Sequence, residues 1–151
     1  DTTMRPLIKA GLLATLLLTS AAWAQTTSPV GLWKTIDDES GKPKALVRIT
    51  EENGALQGKI EKLFRGPNED QNPKCGECKD SRKDQPLIGL TIVSGLKKDG
   101  NEYTGGEILD PAKGKVYKSK ATLRDGGQKL EVRGYIGAPM FGRSQVWQRE
   151  Q

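Results

Sequence analysis

Histidine is absent from all 151 residues, and cysteine occurs only at Cys75 and Cys78. Without imidazole, the commonest general base near neutral pH and the commonest metal ligand are both missing. A structural zinc site needs four ligands, drawn mainly from cysteine and histidine, and two cysteines do not supply them. No Gly-x-Ser-x-Gly elbow, Gly-x-Gly-x-x-Gly turn or Gly-x-x-x-x-Gly-Lys phosphate loop is present. Acidic pairs exist, such as Glu107 with Asp110, but three positions along a strand put the two on opposite faces, which is poor geometry for acid and base work. The expectation is a protein without catalytic residues, metal or cofactor.

Long apolar runs are also lacking, apart from one at the N-terminus. Met4 to Lys9 gives a basic lead, Ala10 to Leu18 an apolar stretch, and Ala22-Trp23-Ala24 a small-x-small cleavage pattern. That stretch is roughly half the ~20 residues of a membrane-spanning helix. Residues 1–24 are therefore expected to be a signal peptide, cleaved after Ala24, and residues 25–151 a single domain that is periplasmic or secreted and has no membrane span. Gln25 stands where a bacterial lipoprotein would carry cysteine. The charge is mildly basic, with 24 Lys and Arg against 19 Asp and Glu. Such a surface favours anionic neighbours, lipid head groups or acidic glycans, and ordinary solubility explains it as well. No nucleic-acid recognition motif is present, so nucleic acid is not an expected partner.

Helical periodicity is nearly missing too, while a period of two recurs between turn residues spaced eight to twelve apart. The expected strands are Gly31 to Asp38, a second carrying Ala45, Val47 and Ile49, Ala55 to Phe64, and a fourth marked by Ile88, Leu90, Ile92 and Leu96. Glu102 to Leu109, Lys115 to Arg124, a seventh with Leu130, Val132, Gly134 and Ile136 on one face, and Arg143 to Arg149 complete the set. Asn53-Gly54 is a strong hairpin signal. Eight strands with short links describe an antiparallel up-and-down meander, and closing it into a barrel removes both edges. A two-sheet sandwich is the competing architecture. An eight-stranded barrel is either filled by its own side chains or holds one small ligand.

One connection is long, Arg65 to Pro86, and it carries both cysteines. Connections of that length are usually functional or flexible. In an oxidising compartment a Cys75–Cys78 disulfide clasping this loop is the plain expectation. A thioredoxin-like pair shares the Cys-Gly-x-Cys spelling but needs a βαβ setting, which is missing.

Gly31-Leu32-Trp33 at the start of the first strand and Arg149 at the end of the last resemble the arrangement in lipocalin-like barrels, where the tryptophan closes one barrel end beneath a basic side chain. The Cys75–Cys78 pair, Pro86-Leu87-Ile88-Gly89-Leu90, Gly106 to Pro111, Gly114 to Tyr117, and Val132 to Gly137 followed by Phe141-Gly142-Arg143 resemble the exported bacterial proteins grouped as domain of unknown function 2147. The resemblance spans about Pro29 to Arg149. It implies a Gram-negative envelope protein with an all-β, lipocalin-like barrel, and it transfers no catalytic residue.

Ligand-contacting candidates are Tyr117 and Tyr135 through their hydroxyls, Glu107 and Arg133 as a buried pair should their faces turn inward, and Met140 and Phe141 as apolar residues in a loop flanked by glycines. Met140 and Phe141 have a second reading, a loop folded back to plug the barrel end. The functional expectation is non-catalytic binding of a small hydrophobic, lipidic or anionic ligand, or of an envelope component. The competing readings are a structural or interaction protein with a filled barrel, docking through its cysteine loop or its Met140-Phe141 loop, and a thiol oxidoreductase using Cys75 and Cys78.

Overall fold

The computed structural model describes residues 3, 11, 14–18 and 28–151. Those scattered positions aside, the expected signal segment and its cleavage site lie outside the described residues. Eight strands follow in order: β1 (Gly31–Ile36), β2 (Pro43–Glu52), β3 (Ala55–Leu63), β4 (Thr91–Asp99), β5 (Glu102–Asp110), β6 (Lys115–Arg124), β7 (Lys129–Tyr135) and β8 (Gly142–Arg149). Each is antiparallel to the next, and β1 returns to β8 through Trp33↔Arg149 and Lys34↔Gln148, closing a barrel. The sandwich alternative is excluded. Among the described residues no helix is long and apolar enough to cross a membrane.

The turn chemistry explains the links. Asn53 and Gly54 both take positive φ, 52° and 78°, as a two-residue turn matched to the strand twist requires. Asp37 ends β1 by accepting hydrogen bonds from the Glu39 and Ser40 N–H groups on Oδ1 at 2.7 and 3.2 Å, so the first strand stops short of the expected Asp38. These two donors hold the Asp37 carboxyl below its ordinary pKa.

Alternation fills the interior. Trp33, Val47, Ile49, Leu56, Ile60, Val93, Leu96, Ala121, Leu130, Val132 and Trp147 are buried in one contiguous cluster, with Tyr103, Ile108 and Leu123 packed against it. Fully burying a Val, Leu or Ile contributes about 1.5–3 kcal/mol, so this cluster is the main source of stability. The inner wall is small at one place, where Ser119 lies between Gly106 and Gly134 across the ladder. Leu96 occupies the space beside Gly106, and Ile108 and Tyr117 the space beside Gly134.

Two further departures from the expected strand limits leave apolar side chains in solvent. β4 begins at Thr91, because the Leu90 N–H bonds the Leu87 carbonyl at 3.1 Å and closes a turn that leaves Ile88 outside the sheet and exposed. β7 ends at Tyr135, so Ile136 enters the following loop and points to solvent instead of sharing the Leu130 face.

Candidate functional site

The two barrel ends differ in kind. At one lie the β2–β3, β4–β5 and β6–β7 turns and the last residues of the sequence, and there Arg149 ties the β6–β7 turn to the segment leading into β1. Its guanidinium lies 4.4 Å from the Trp33 ring centroid. It donates to the carbonyls of Ser28 at 2.6 Å, Gly127 at 2.7 Å and Val30 at 3.0 Å. The Trp33 indole N–H donates to the Pro29 carbonyl at 2.8 Å. Planar stacking with in-plane donors suits arginine and not lysine. Burial pulls the Arg149 pKa down.

The opposite end, the rim, carries the β1–β2 loop, the long β3–β4 connection, the β5–β6 turn and the β7–β8 loop. The long connection is ordered by its own bonds. Lys74 bridges Pro86, the Cys75 N–H donates to the Gln85 carbonyl at 2.8 Å, and the Leu87 N–H to the Pro73 carbonyl at 2.9 Å. Cys75 and Cys78 form the expected disulfide, and both are buried.

This clasp seals the outer wall beside the rim. Ile108 pairs with Tyr117 and lies on the inner face, so Leu109 and its partner Val116 face outward. Val116 is 43% exposed, yet Leu109 is only 3% exposed. The cover comes from the clasp, whose Cys75 and Cys78 join the same apolar cluster as Leu109 and Ile92. The Glu77 carbonyl sits so close to Gly114 that any side chain there would overlap it, and Cys75 Sγ lies 3.9 Å from the Pro111 carbonyl oxygen. Arg82 fastens the other side, donating to the Thr91 carbonyl at 2.9 Å and gripping Asp80 with Nε and Nη2, the latter at 2.6 Å. That grip draws the Asp80 pKa down to about 2.

Between the clasp and the end of β7 runs a groove of about 420 Å³, lined by Lys79, Asp80, Gly114, Lys115, Val116, Tyr117 and Ile136. A second, of about 360 Å³, lies on the other flank of the clasp against Arg82, Pro86, Ile88 and Thr91. Both are open to solvent, and neither is lined by the buried cluster of the interior except at Leu90.

The structure distributes the expected site residues unevenly. Tyr117, on the inner face, reaches the first groove. Glu107 and Tyr135 both pair with Lys118 on the outer wall, and Arg133 pairs with Lys120 there. The inward Glu107–Arg133 pair therefore does not form, since Ile108 and Val132 take the inner positions beside them. Arg133 has another task. It braces the β7–β8 loop, donating to the carbonyls of Pro139 at 2.6 Å and Gly142 at 3.3 Å and to Ser144 Oγ at 3.0 Å. The braced loop holds Ile136, Met140 and Phe141 outward, at 65%, 76% and 68% exposure, so it does not plug the barrel. Sequence reasoning missed Lys79, Lys115, Val116 and Ile136. Their only signal was position, next to the cysteines and at strand ends.

The family described as "Uncharacterized protein conserved in bacteria (DUF2147)" matches residues 31–149. The chain belongs to DUF2147. Among curated proteins none matches it. A solved structure similar to this DUF2147 chain is protein HP1028 from the human pathogen Helicobacter pylori, described as belonging to the lipocalin family. The two share 19% identity with a TM-score of 0.69, over 83% of this chain and 85% of that one. At that identity the likeness establishes the fold alone, and the DUF2147 barrel is lipocalin-like.

Proposed function

We propose that this DUF2147 protein is an exported, non-catalytic binding protein of the cell envelope that meets its partner at the rim of a filled barrel. The observation carrying this is the contrast between interior and rim. Inside, side chains from all around the barrel pack as one cluster, whereas outside an arginine-braced loop holds three large apolar side chains in water beside an open groove. Exposed apolar clusters of this kind mark binding surfaces. A ligand inside the barrel would have to displace Leu96 or Tyr117 from the space beside the inner-wall glycines. The burial and pairing of Cys75 and Cys78 weigh against a thiol oxidoreductase, whose attacking sulfur has to be accessible.

The test is an amide-shift map of the ¹⁵N-labelled protein titrated with a lipid and small-molecule extract of bacterial envelopes. Shifts confined to Val116, Tyr117, Ile136, Ala138 and residues 140–142 are expected. Shifts centred on Val47, Ile49 and Val132 would instead return the ligand to the barrel interior and overturn the rim reading.

A further inference from the structure

Resting on that reading, we infer that the rim partner is an anionic lipid surface, with the β7–β8 loop entering the head-group layer and the groove lysines taking phosphates. The loop is built to present apolar groups. Arg133 ties its middle at Pro139 and its end at Gly142, and the Ile136 N–H bonds the Phe141 carbonyl at 3.2 Å while the Phe141 N–H bonds the Ala138 carbonyl at 2.9 Å. An apolar loop left to itself would fold its side chains onto the barrel. This one is pinned from within, so Met140 and Phe141 stay out at its tip with Ile136 at its base. Unbranched methionine and aromatic phenylalanine are suited to an irregular acyl and head-group boundary.

The lining of the groove beside it carries two lysines against one carboxylate. Lys79 and Lys115 line the groove next to Ile136, and among the described residues neither takes part in an ion pair. The one carboxylate in the groove, Asp80, is taken by Arg82. Asp110, opposite Lys115 across the β5–β6 ladder, accepts the Ala112 N–H at 3.0 Å. Apolar tips flanked by uncommitted lysines match a surface with acyl chains below and phosphate above, while a soluble apolar ligand would make no use of the lysines.

The test is co-sedimentation with phosphatidylcholine vesicles made with and without phosphatidylglycerol. Binding is expected only to the anionic vesicles and should weaken with added salt. Replacing both Met140 and Phe141 by serine should lower it about tenfold or more, and Lys79→Gln and Lys115→Gln about fivefold each. Val146→Ser, on the outer wall away from the rim, should bind as the parent does, and near-ultraviolet circular dichroism confirms that each variant is folded. Equal binding to both vesicle types, or anionic binding unaffected by the loop pair, overturns the inference. If vesicles are ignored but the envelope extract still shifts Val116 and Ile136, the rim reading stands and the lipid inference falls. If the extract moves nothing either, both fall.

Discussion

At the scale of single residues, Arg149 and Ser119 mark opposite extremes of satisfaction. Arg149 meets the backbone oxygens of Ser28, Val30, Gly127 and Gln151 and an indole face at once, so its loss leaves acceptors unpaired as well as a ring uncovered. Arg149→Leu is expected to destabilise the fold by about 2–4 kcal/mol, read as a lower midpoint in urea unfolding. Arg149→Lys should recover less than half of that, because an ammonium cannot stack and donate in one plane. A lysine variant as stable as the parent would reduce the role of Arg149 to bare charge. Ser119 is the reverse case, a buried hydroxyl with no hydrogen-bond partner among the described residues. A buried donor without a partner costs free energy, so Ser119→Ala should be neutral or stabilising by up to about 1 kcal/mol. A clear drop in midpoint would mean the hydroxyl holds something in the folded protein.

Among the elements, the clasp is the one whose energetics depend on conditions. Its disulfide closes a very small ring, so the entropic contribution falls below the ~3 kcal/mol of a fifteen-residue loop. What the disulfide adds is the shape that covers Leu109. Reduction is therefore expected to leave the midpoint of global unfolding nearly unchanged while amide exchange accelerates in residues 65–90 and at Leu109; a cooperative loss of the whole barrel would refute the idea of a local cover. Acid acts on the same element through Asp80. Its folded pKa, about 2, lies below the unfolded value of about 3.9, so its contribution is fully present above roughly pH 4 and is lost as pH falls through about 2. Exchange in the clasp should rise across that window, and Asp80→Asn should remove the dependence. Turns written by local chemistry, Asn53-Gly54 above all, were legible in the sequence. The cover over Leu109 was not, since Glu107-Ile108-Leu109-Asp110 alternates like any strand and the residues that bury its outer side arrive from a loop thirty positions upstream in the chain.

The whole molecule is a barrel whose existence was readable and whose weakest line was not. Period-two alternation and evenly spaced turns specify eight strands, and the Trp33 and Arg149 positions specify where the first and last meet, but how far they run together depends on curvature that no local pattern encodes. They separate early. Pairing between β1 and β8 stops at Lys34↔Gln148, whereas β7 and β8 stay paired from Leu130↔Trp147 to Tyr135↔Gly142. Toward the rim the gap is spanned by a side-chain ion pair between Arg143 and Asp38. Both partners are exposed, so the pair is worth less than about 1 kcal/mol. The barrel is thus held along this seam at one end by Arg149, by the Leu32 backbone hydrogen bonds with Glu150 and Gln151 and by the Lys34–Glu150 ion pair, and by very little at the other. Its lowest-energy opening is expected there, with β1 peeling from β8 while β2 to β7 remain a sheet. Native-state exchange checks this: the Lys34 and Gln148 amides should exchange well before those of Val132 and Ala121, Asp38→Asn should speed them slightly, and Arg149→Leu should speed them strongly. Uniform exchange across all eight strands would show instead that the filled core, and not the ladder, sets the resistance of the seam.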